Sequence, residues 1–393
     1  MDLDIRGLIA TPFDIAPLSR DVVVYGAGNT GRSASAYLAS AGHRVIAFLD
    51  AAARPGQHID NIPVMRPDDR SSRGDADREG NVAVHTCDVG VDIHTCDVGV
   101  DIHTCDVLVA IHNYGVEMTS LQERVGKLGF RRTLNMVHFH NLFPRDQPFR
   151  YWLTDRSFYR GREREIESAA SLLGDETSRD WFHKVLAFRL TGDYSRLPAP
   201  RPAEQYFPAD LPRWTDPMRF VDCGAFDGDT VEALARAGYT FEAIAAFEPD
   251  PKNYVALAAR VGRHGSAFCF PCGVASSTRM VRFATGEGMA SHESADGGAT
   301  VQCVALDEAL PGFRPTLIKM DVEGAEPDAL EGARTTISAS RPGLAIALYH
   351  RPSHLWEIPL KIASWGLDYR LEIRGHGHGS YDTVLYAFPR DRS

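Results

Sequence analysis

The chain reads as an α/β protein with two Rossmann-like, doubly wound sheets joined by a helical connector. Three observations predict this. Apolar runs of strand length alternate with helix-patterned stretches in both halves of the 393 residues, the pattern of a parallel sheet with crossover helices. A glycine-rich turn, GAGNTG (26–31), follows the first such run. In the second half, FVDCGAFDGDT (220–230), FEPDPKN (247–253) and IKMDVEGAE (318–326) each place an acid just after an apolar run. An open α/β sheet binds its ligand beyond the carboxyl ends of its strands, so these acids mark the candidate site. A chain of 393 residues exceeds what one core usually supports. Residues 1–145 are expected to form the first domain, 146–215 the connector and 216–393 the second domain.

In the first domain VVVY (22–25) predicts a buried strand, SASAYLASAG a helix closing at Gly42, and RVIAFLD (44–50) a second strand. Gly26, Gly28 and Gly31 spell GxGxxG, and Asp50 ends the next strand 19 residues later. This context suits a second nucleotide or nucleotide-sugar site, with a phosphate at the helix N-terminus and a ribose on Asp50. The same segment resembles the Rossmann-like N-terminal domain of sugar-modifying acyltransferases. The bland reading gives these glycines tight turns and close packing only. IPVM (62–65) reads as a short strand within a loop-like stretch. A nonapeptide then recurs over 85–111: HTCDVGVDI, HTCDVGVDI, HTCDVLVAI. Its cysteines and histidines are candidate metal ligands, but identical copies point to a recent duplication that lengthens a loop at little cost. Only the third copy holds an unbroken strand core, VLVAI (107–111). RRTLNMVHFHNLFP closes the domain.

The connector holds two amphipathic stretches, REREIESAASLLG and RDWFHKVLAFRLTG, before a Pro-rich segment. Strands RFVDC, EAIAAFE, SAFCFPCGVA, TLIKMDV and GLAIALYH follow, mostly separated by helices, with a hairpin through RMVRFATG and TVQCVAL. Two final strands, YRLEIRG and TVLYAFP, give the sheet an antiparallel end.

Asp222 ends the first of these strands, and Gly224 and Gly228 let the backbone approach a ligand closely. Asp227 and Asp229 in the same turn would repel a pyrophosphate. Glu248 ends the second strand 20 residues after Gly228, where an acid accepts bonds from both ribose hydroxyls. An adenosine with a positive group and no phosphate satisfies all of this, and S-adenosylmethionine is such a molecule.

DCGAFDGDT, FEPDP, IKMDVEGAEPDALEGA and YHRPSHLWEIPLKI…TVLYAF resemble the FkbM family of S-adenosylmethionine-dependent methyltransferases over roughly residues 204–389. The resemblance implies a seven-stranded class I methyltransferase sheet and O-methylation of a sugar or natural-product hydroxyl. It implies a cofactor site of Asp222, Gly224, Ala225, Phe226, Gly228, Glu248, Pro249, Asp250 and Asp321. In that set Asp222 and the glycines border the methionine portion, Glu248 holds the ribose and Asp321 faces the reacting methyl. Cys223, Phe226 and Asp227 depart from the V-G-A-N-I-G that many relatives carry. An alcohol nucleophile must lose its proton as it attacks, and Asp321, Glu323 and His350 are the candidate bases. Glu326, in a first helical turn that favours acids, reads as structural. A divalent cation on Asp321 and Glu323 would rest on two carboxylates, and no metal is assigned.

The net charge of −10 argues against nucleic acid or an anionic membrane as partner, leaving a small-molecule or glycan acceptor. No apolar run reaches the roughly 20 residues that cross a bilayer, no signal peptide opens the chain, and seven cysteines fit a reducing cytoplasm. Two other functions stay open: a non-catalytic nucleotide-binding regulator, and an NAD-dependent oxidoreductase using the N-terminal glycines. No Tyr-x-x-x-Lys pair supports the latter.

Overall fold

Two mostly parallel sheets carry the two halves of the chain. The computed structural model describes residues 4–67, 101–113, 115–144, 151–284, 292–293 and 298–390. The first and most of the second nonapeptide copy, with their cysteines and histidines, lie outside the described residues. The first sheet contains β1 (Asp21–Tyr25), β2 (Arg44–Leu49), β3 (His58–Ile59), β4 (Ile62–Met65), β5 (Asp106–Val109) and β6 (Arg132–Asn135), in the order β3-β4-β2-β1-β5-β6. All pairings are parallel except β3 with β4. The Val22–Val24 run is fully buried at the sheet centre, as continuous apolar runs in two-sided parallel sheets are. The third nonapeptide copy supplies β5, with Cys105 buried beside it.

The GAGNTG turn leads from β1 into α2 (Asn29–Ser40). Gly31 packs that helix onto the strand: a Cβ there would sit 1.8 Å from the Gly26 carbonyl oxygen. Asp106, buried at the start of β5, takes hydrogen bonds from Arg131, Arg132 and the Ser19 amide and so fastens the amino-terminal edge of the sheet.

The second sheet holds β7 (Met218–Cys223), β8 (Phe241–Phe247), β9 (Ala267–Phe270), β14 (Leu317–Met320), β15 (Gly343–Ala347), β16 (Tyr369–Gly375) and β17 (Thr383–Pro389). Their order is β16-β17-β15-β14-β7-β8-β9, with β17 antiparallel to both neighbours. This is the class I arrangement that the resemblance implies. Strands β10 (Gly273–Val274), β11 (Arg279–Ala284), β12 (His292–Glu293) and β13 (Ala299–Val304) form a small sheet of their own, so the predicted long strand SAFCFPCGVA is split between two sheets.

The helices expected to connect the two sheets are built into the second. α5 (Glu163–Ser171) and α6 (Glu176–Thr191) share its core with α12 (His354–Ser364). Asp175 caps α6 and pairs with Arg374 of β16 at 2.7 Å, while Ser178 bonds Glu372 and the Ile373 amide. Trp152 and Phe188, both buried, join the core of the first sheet together with Tyr349 and Tyr381, so the halves share packing. Among the described residues no helix is long and apolar enough to cross a membrane.

The glycine turn yields a contrast. Gly31→Ala is expected to destabilise the protein by about 1–3 kcal/mol through overpacking. Gly28→Ala, with open space around its Cβ position, is expected to cost well under about 1 kcal/mol. Urea unfolding of the two variants checks this.

Candidate active site

A cavity of about 710 Å³ opens beyond the carboxyl ends of β7, β8 and β14, on the side facing the first half. One end is walled by Gly224 and Phe226 of the loop after β7, Asp229 and Thr230 at the start of α7 (Asp229–Arg236), and Glu248, Pro249 and Asn253 after β8. The other end is walled by Asp321 and Glu323 after β14, Tyr349 after β15, and Asp382 before β17. Tyr151, Gln205 and Tyr206 close it from the connector.

In the floor of the cavity, Lys319 of β14 faces Asp222 across the parallel pairing of the two central strands. The Nζ lies 3.1 Å from Asp222 Oδ1 and donates to the Gly224 carbonyl at 2.6 Å. The two side chains are 4% and 0% exposed. Burial raises Asp222 to about 6, restrained by Lys319. Burial alone would lower Lys319, but Asp222, Asp321 and Asp229 outweigh it and keep the ammonium charged. Gly224 follows with φ +74°, and a Cβ there would lie 1.9 Å from the Asp321 carbonyl oxygen. The first loop and the turn after β14 thus touch through backbone.

Glu248 is set by the chain around it. The Phe226 amide donates to Oε2 at 2.9 Å and the Asp250 amide to Oε1 at 2.8 Å. Burial raises its pKa against these bonds. The Asn253 side chain also bonds this carboxylate, which lines the cavity beside Phe226.

At the far end Asp321 accepts hydrogen bonds from the Tyr206 hydroxyl at 2.8 Å and the Tyr349 hydroxyl at 3.2 Å. His350, its side chain 1% exposed, lies directly behind. Its Nδ1 donates to Glu326 Oε1 at 2.6 Å, and its Nε2 lies 3.2 Å from Asp321 Oδ1 and 3.7 Å from Glu323 Oε2. Burial alone would lower His350, but Glu326, Glu323 and Asp321 lift it to about 10. Burial opposes ionisation of Glu326, yet His350 and His354 hold it well below the usual carboxylate range. Burial lifts Glu323 to about 8, with Asp321, Glu326 and Asp382 adding to the rise and His350 opposing it. Asp382 rises to about 6, again chiefly by burial. Ligand atoms of Asp321, Glu326 and His350 all lie within 4.8 Å of one another.

Backbone strain gathers at the same place. Tyr151, Tyr206, Phe226, Glu323 and Asp382 all have positive φ, between 46° and 70° excepting none, and all line the cavity. Each such non-glycine conformation costs on the order of 1–3 kcal/mol and persists where surrounding structure enforces it, commonly at functional sites.

Residues 222–373 match the family described as the methyltransferase FkbM domain. Residues 222–373 are thus a methyltransferase FkbM domain, and the chain carries S-adenosylmethionine-dependent methyltransferase machinery there. Its fold is similar to that of methyltransferase FkbM from Methylobacillus flagellatus KT, with TM-score 0.74 and 22% identity over 98% of this chain and 97% of that one. At that identity the likeness shows a shared fold, and it includes the first half. Aeropyrum pernix fibrillarin, solved with natively bound S-adenosyl-L-methionine, overlaps 44% of this chain and 67% of its own at 13% identity and TM-score 0.27. A methyltransferase from Aquifex aeolicus overlaps 56% of this chain and 97% of its own at 12% identity and the same score. Scores this low carry no argument. No curated protein matches the chain.

Of the residues that the sequence nominated, Gly224, Phe226, Glu248, Pro249, Asp321 and Glu323 line the methyltransferase cavity. Asp222 does not, contrary to expectation: Lys319, in the floor, takes its charge. Ala225 is buried in the core, Gly228 packs α7 against Val261, and Asp250 caps α8 (Pro251–Val261), bonding the Lys252 and Asn253 amides. His350 reaches the cavity only through its neighbours. Glu326, read as structural from its helical turn, bonds His350 and the Val322 amide. In the first half, Asp50 bonds the Ala27 and Ala52 amides at 2.8 and 2.9 Å, and neither it nor Gly26, Gly28 or Gly31 lines this cavity.

Sequence reasoning missed Lys319, Asp382, Tyr206 and Tyr349. A lysine inside the apolar run LIKM was the available signal for the first. The others lie far apart along the chain and meet only in the fold.

Phe226 occupies a left-handed position, which Asn tolerates better than Phe. Phe226→Asn is expected to raise stability by about 1 kcal/mol. Gly224→Ala should lower it by at least about 2 kcal/mol, because φ and contact both forbid a side chain. Chemical denaturation monitored by circular dichroism reads both.

Proposed function

We propose that the protein methylates a hydroxyl of a sugar or natural product, with Glu248 holding the cofactor ribose and Asp321 and Glu323 serving the acceptor. The observation that carries this is that Glu248 and the Asp321–Glu323 pair face one another within a single cavity at the carboxyl ends of the central strands. The residues present fit the cofactor. Glu248 lines the cavity at a strand end, Gly224 admits close backbone approach, and the acidic walls suit a sulfonium while disfavouring phosphate. When bound, S-adenosylmethionine supplies an electrophilic methyl group for in-line displacement.

The chain's own part is alignment and proton removal. Aligning two reactants is worth about 7–11 kcal/mol. Tyr206 and Tyr349 fix the Asp321 carboxylate by donating to it. Asp321 accepts the hydroxyl proton as the acceptor oxygen attacks, and Glu323 does so where the pH exceeds its raised value of about 8. His350, clamped by Glu326, sets the electrostatics of both acids from behind. Tyr151 and Tyr381, whose rings pack at 5.2 Å, offer an apolar wall for a ring-shaped acceptor. The acceptor enters where the two halves meet, which accounts for the lining from the connector. For the N-terminal glycine turn, the close approach of Gly31 to the Gly26 carbonyl supports the packing role over a nucleotide site.

Calorimetry with S-adenosylhomocysteine tests the cofactor assignment. Wild-type protein is expected to bind it. Glu248→Ala, with unchanged circular dichroism, should bind about 10–100-fold more weakly, the worth of a lost charged hydrogen bond. Absence of binding by the wild type, or full affinity in the variant, contradicts the assignment.

A further inference from the structure

We propose that the acceptor end of the cavity is a divalent-cation site, with His350 Nε2 and the carboxylates of Asp321 and Glu323 as ligands and Mg²⁺ or Mn²⁺ as the class of ion. This deepens the methyl-transfer reading and rests on it for the ion's purpose, though the geometry stands independently.

The first support is the arrangement of donor atoms. Nε2 lies 3.2 Å from Asp321 Oδ1 and 3.7 Å from Glu323 Oε2. An ion with ligand bonds of about 2.1 Å places neighbouring ligand atoms roughly 3.0–3.4 Å apart, so the His350–Asp321 pair already fits, and Glu323 joins it by turning its carboxylate toward Asp321, since the ligand atoms that lie within 4.8 Å of one another are those of Asp321, Glu326 and His350. The second support is independent of the acids. His350 is buried, and its Nε2 makes no hydrogen bond of acceptable geometry. It points at the two carboxylates at ion-pair distance without a hydrogen bond to either.

The third support is the far side of the ring. Glu326 accepts from Nδ1 at 2.6 Å and is itself fixed by the Val322 amide at 2.9 Å. A carboxylate on one ring nitrogen fixes the tautomer that presents the other as a bare lone pair, the arrangement that orients metal-binding histidines. Glu326 thus positions the imidazole rather than binding the ion. Asp321 is steadied in the same way by the hydroxyls of Tyr206 and Tyr349. Glu323 reaches the site from a backbone at φ +54°, a conformation held against its own cost. Three carboxylates, of Asp321, Glu323 and Asp382, line this end of the cavity, and a dication supplies the charge they lack.

Two carboxylates and one imidazole, with no thiolate, select a hard or borderline ion and disfavour copper(I) or a structural zinc. Three protein ligands leave positions for water and for acceptor oxygens. An acceptor hydroxyl bound there is oriented and made more acidic. No single motif spells this site, which explains why the sequence assigns no metal: its third ligand comes from a different strand end.

The competing occupant is a second proton on His350, which would make Nε2 a donor to Asp321. Titrating EDTA-treated, full-length protein with Mn²⁺ and following the free-ion paramagnetic resonance signal decides between them. One site per chain is expected, with micromolar affinity and a raised melting temperature on loading. Glu323→Gln, whose side chain is 19% exposed and so tolerates change, and His350→Gln should each weaken Mn²⁺ binding at least tenfold. S-adenosylhomocysteine affinity of Glu323→Gln, measured in EDTA, should stay within a few-fold of wild type. Mn²⁺ remaining free at millimolar concentration, or wild-type affinity in Glu323→Gln, overturns the proposal. A wild-type protein that binds S-adenosylhomocysteine but not Mn²⁺ sinks this inference alone, whereas one that binds neither sinks the cofactor assignment as well.

Discussion

The buried pair of Lys319 and Asp222 is the constraint on which the site depends. These residues are register partners on the two central strands of the second sheet, and both are sealed from solvent. Lys319 also holds the Gly224 carbonyl, fixing the first loop over the strand that ends in Asp321. Removing either partner would strand a charge in the core, at about 3–5 kcal/mol. Two apolar residues might pack there at equal stability, but they would not fix the loop carbonyl. The pair therefore reads as a positioning device. It sets the distance between the loop after β7 and the turn after β14.

Above this clasp the cavity is built under tension. Five non-glycine residues in left-handed backbone line it, and its acids are crowded enough that burial lifts Glu323 to about 8 and Asp382 to about 6. Neither feature aids stability. Both persist because the rest of the fold is well packed: a fully buried central sheet, helices α5, α6 and α12 in one core, and aromatic contacts that tie the first half to Tyr349 and Tyr381. The strain and the uncompensated charge lie where chemistry is proposed, on rigid strand ends.

Much of the second sheet was legible in the sequence because each strand was a short apolar run closed by a glycine or an acid. The final strands 369–375 and 383–389 fall where the alternation put them. Glu248, Gly224 and Asp321 were legible for the same reason, since a strand end followed by a turn has few other readings. Asp222 was misplaced because a sequence cannot show which face of a strand a side chain takes, and Lys319 claims that face. Asp250 reads as an acid in a motif, yet the Pro251 that follows marks it as a helix cap. His350 was nominated as a base, but the buried Glu326 behind it was not visible as its partner, because 24 residues and a whole strand separate them. The connector helices looked like a linker, since amphipathic periodicity does not say which surface the apolar face covers.

The central claim is that the cofactor lies over the carboxyl ends of β7 and β8 with its ribose on Glu248 and its sulfur toward Asp321. A crystal structure of the protein soaked with S-adenosylhomocysteine tests it most directly. The account predicts both ribose hydroxyls within hydrogen-bonding distance of the Glu248 oxygens and the sulfur facing the Asp321–Glu323 end of the cavity. A nucleoside found on the Gly26–Gly31 turn, or one turned so that Glu248 meets no hydroxyl, would contradict it.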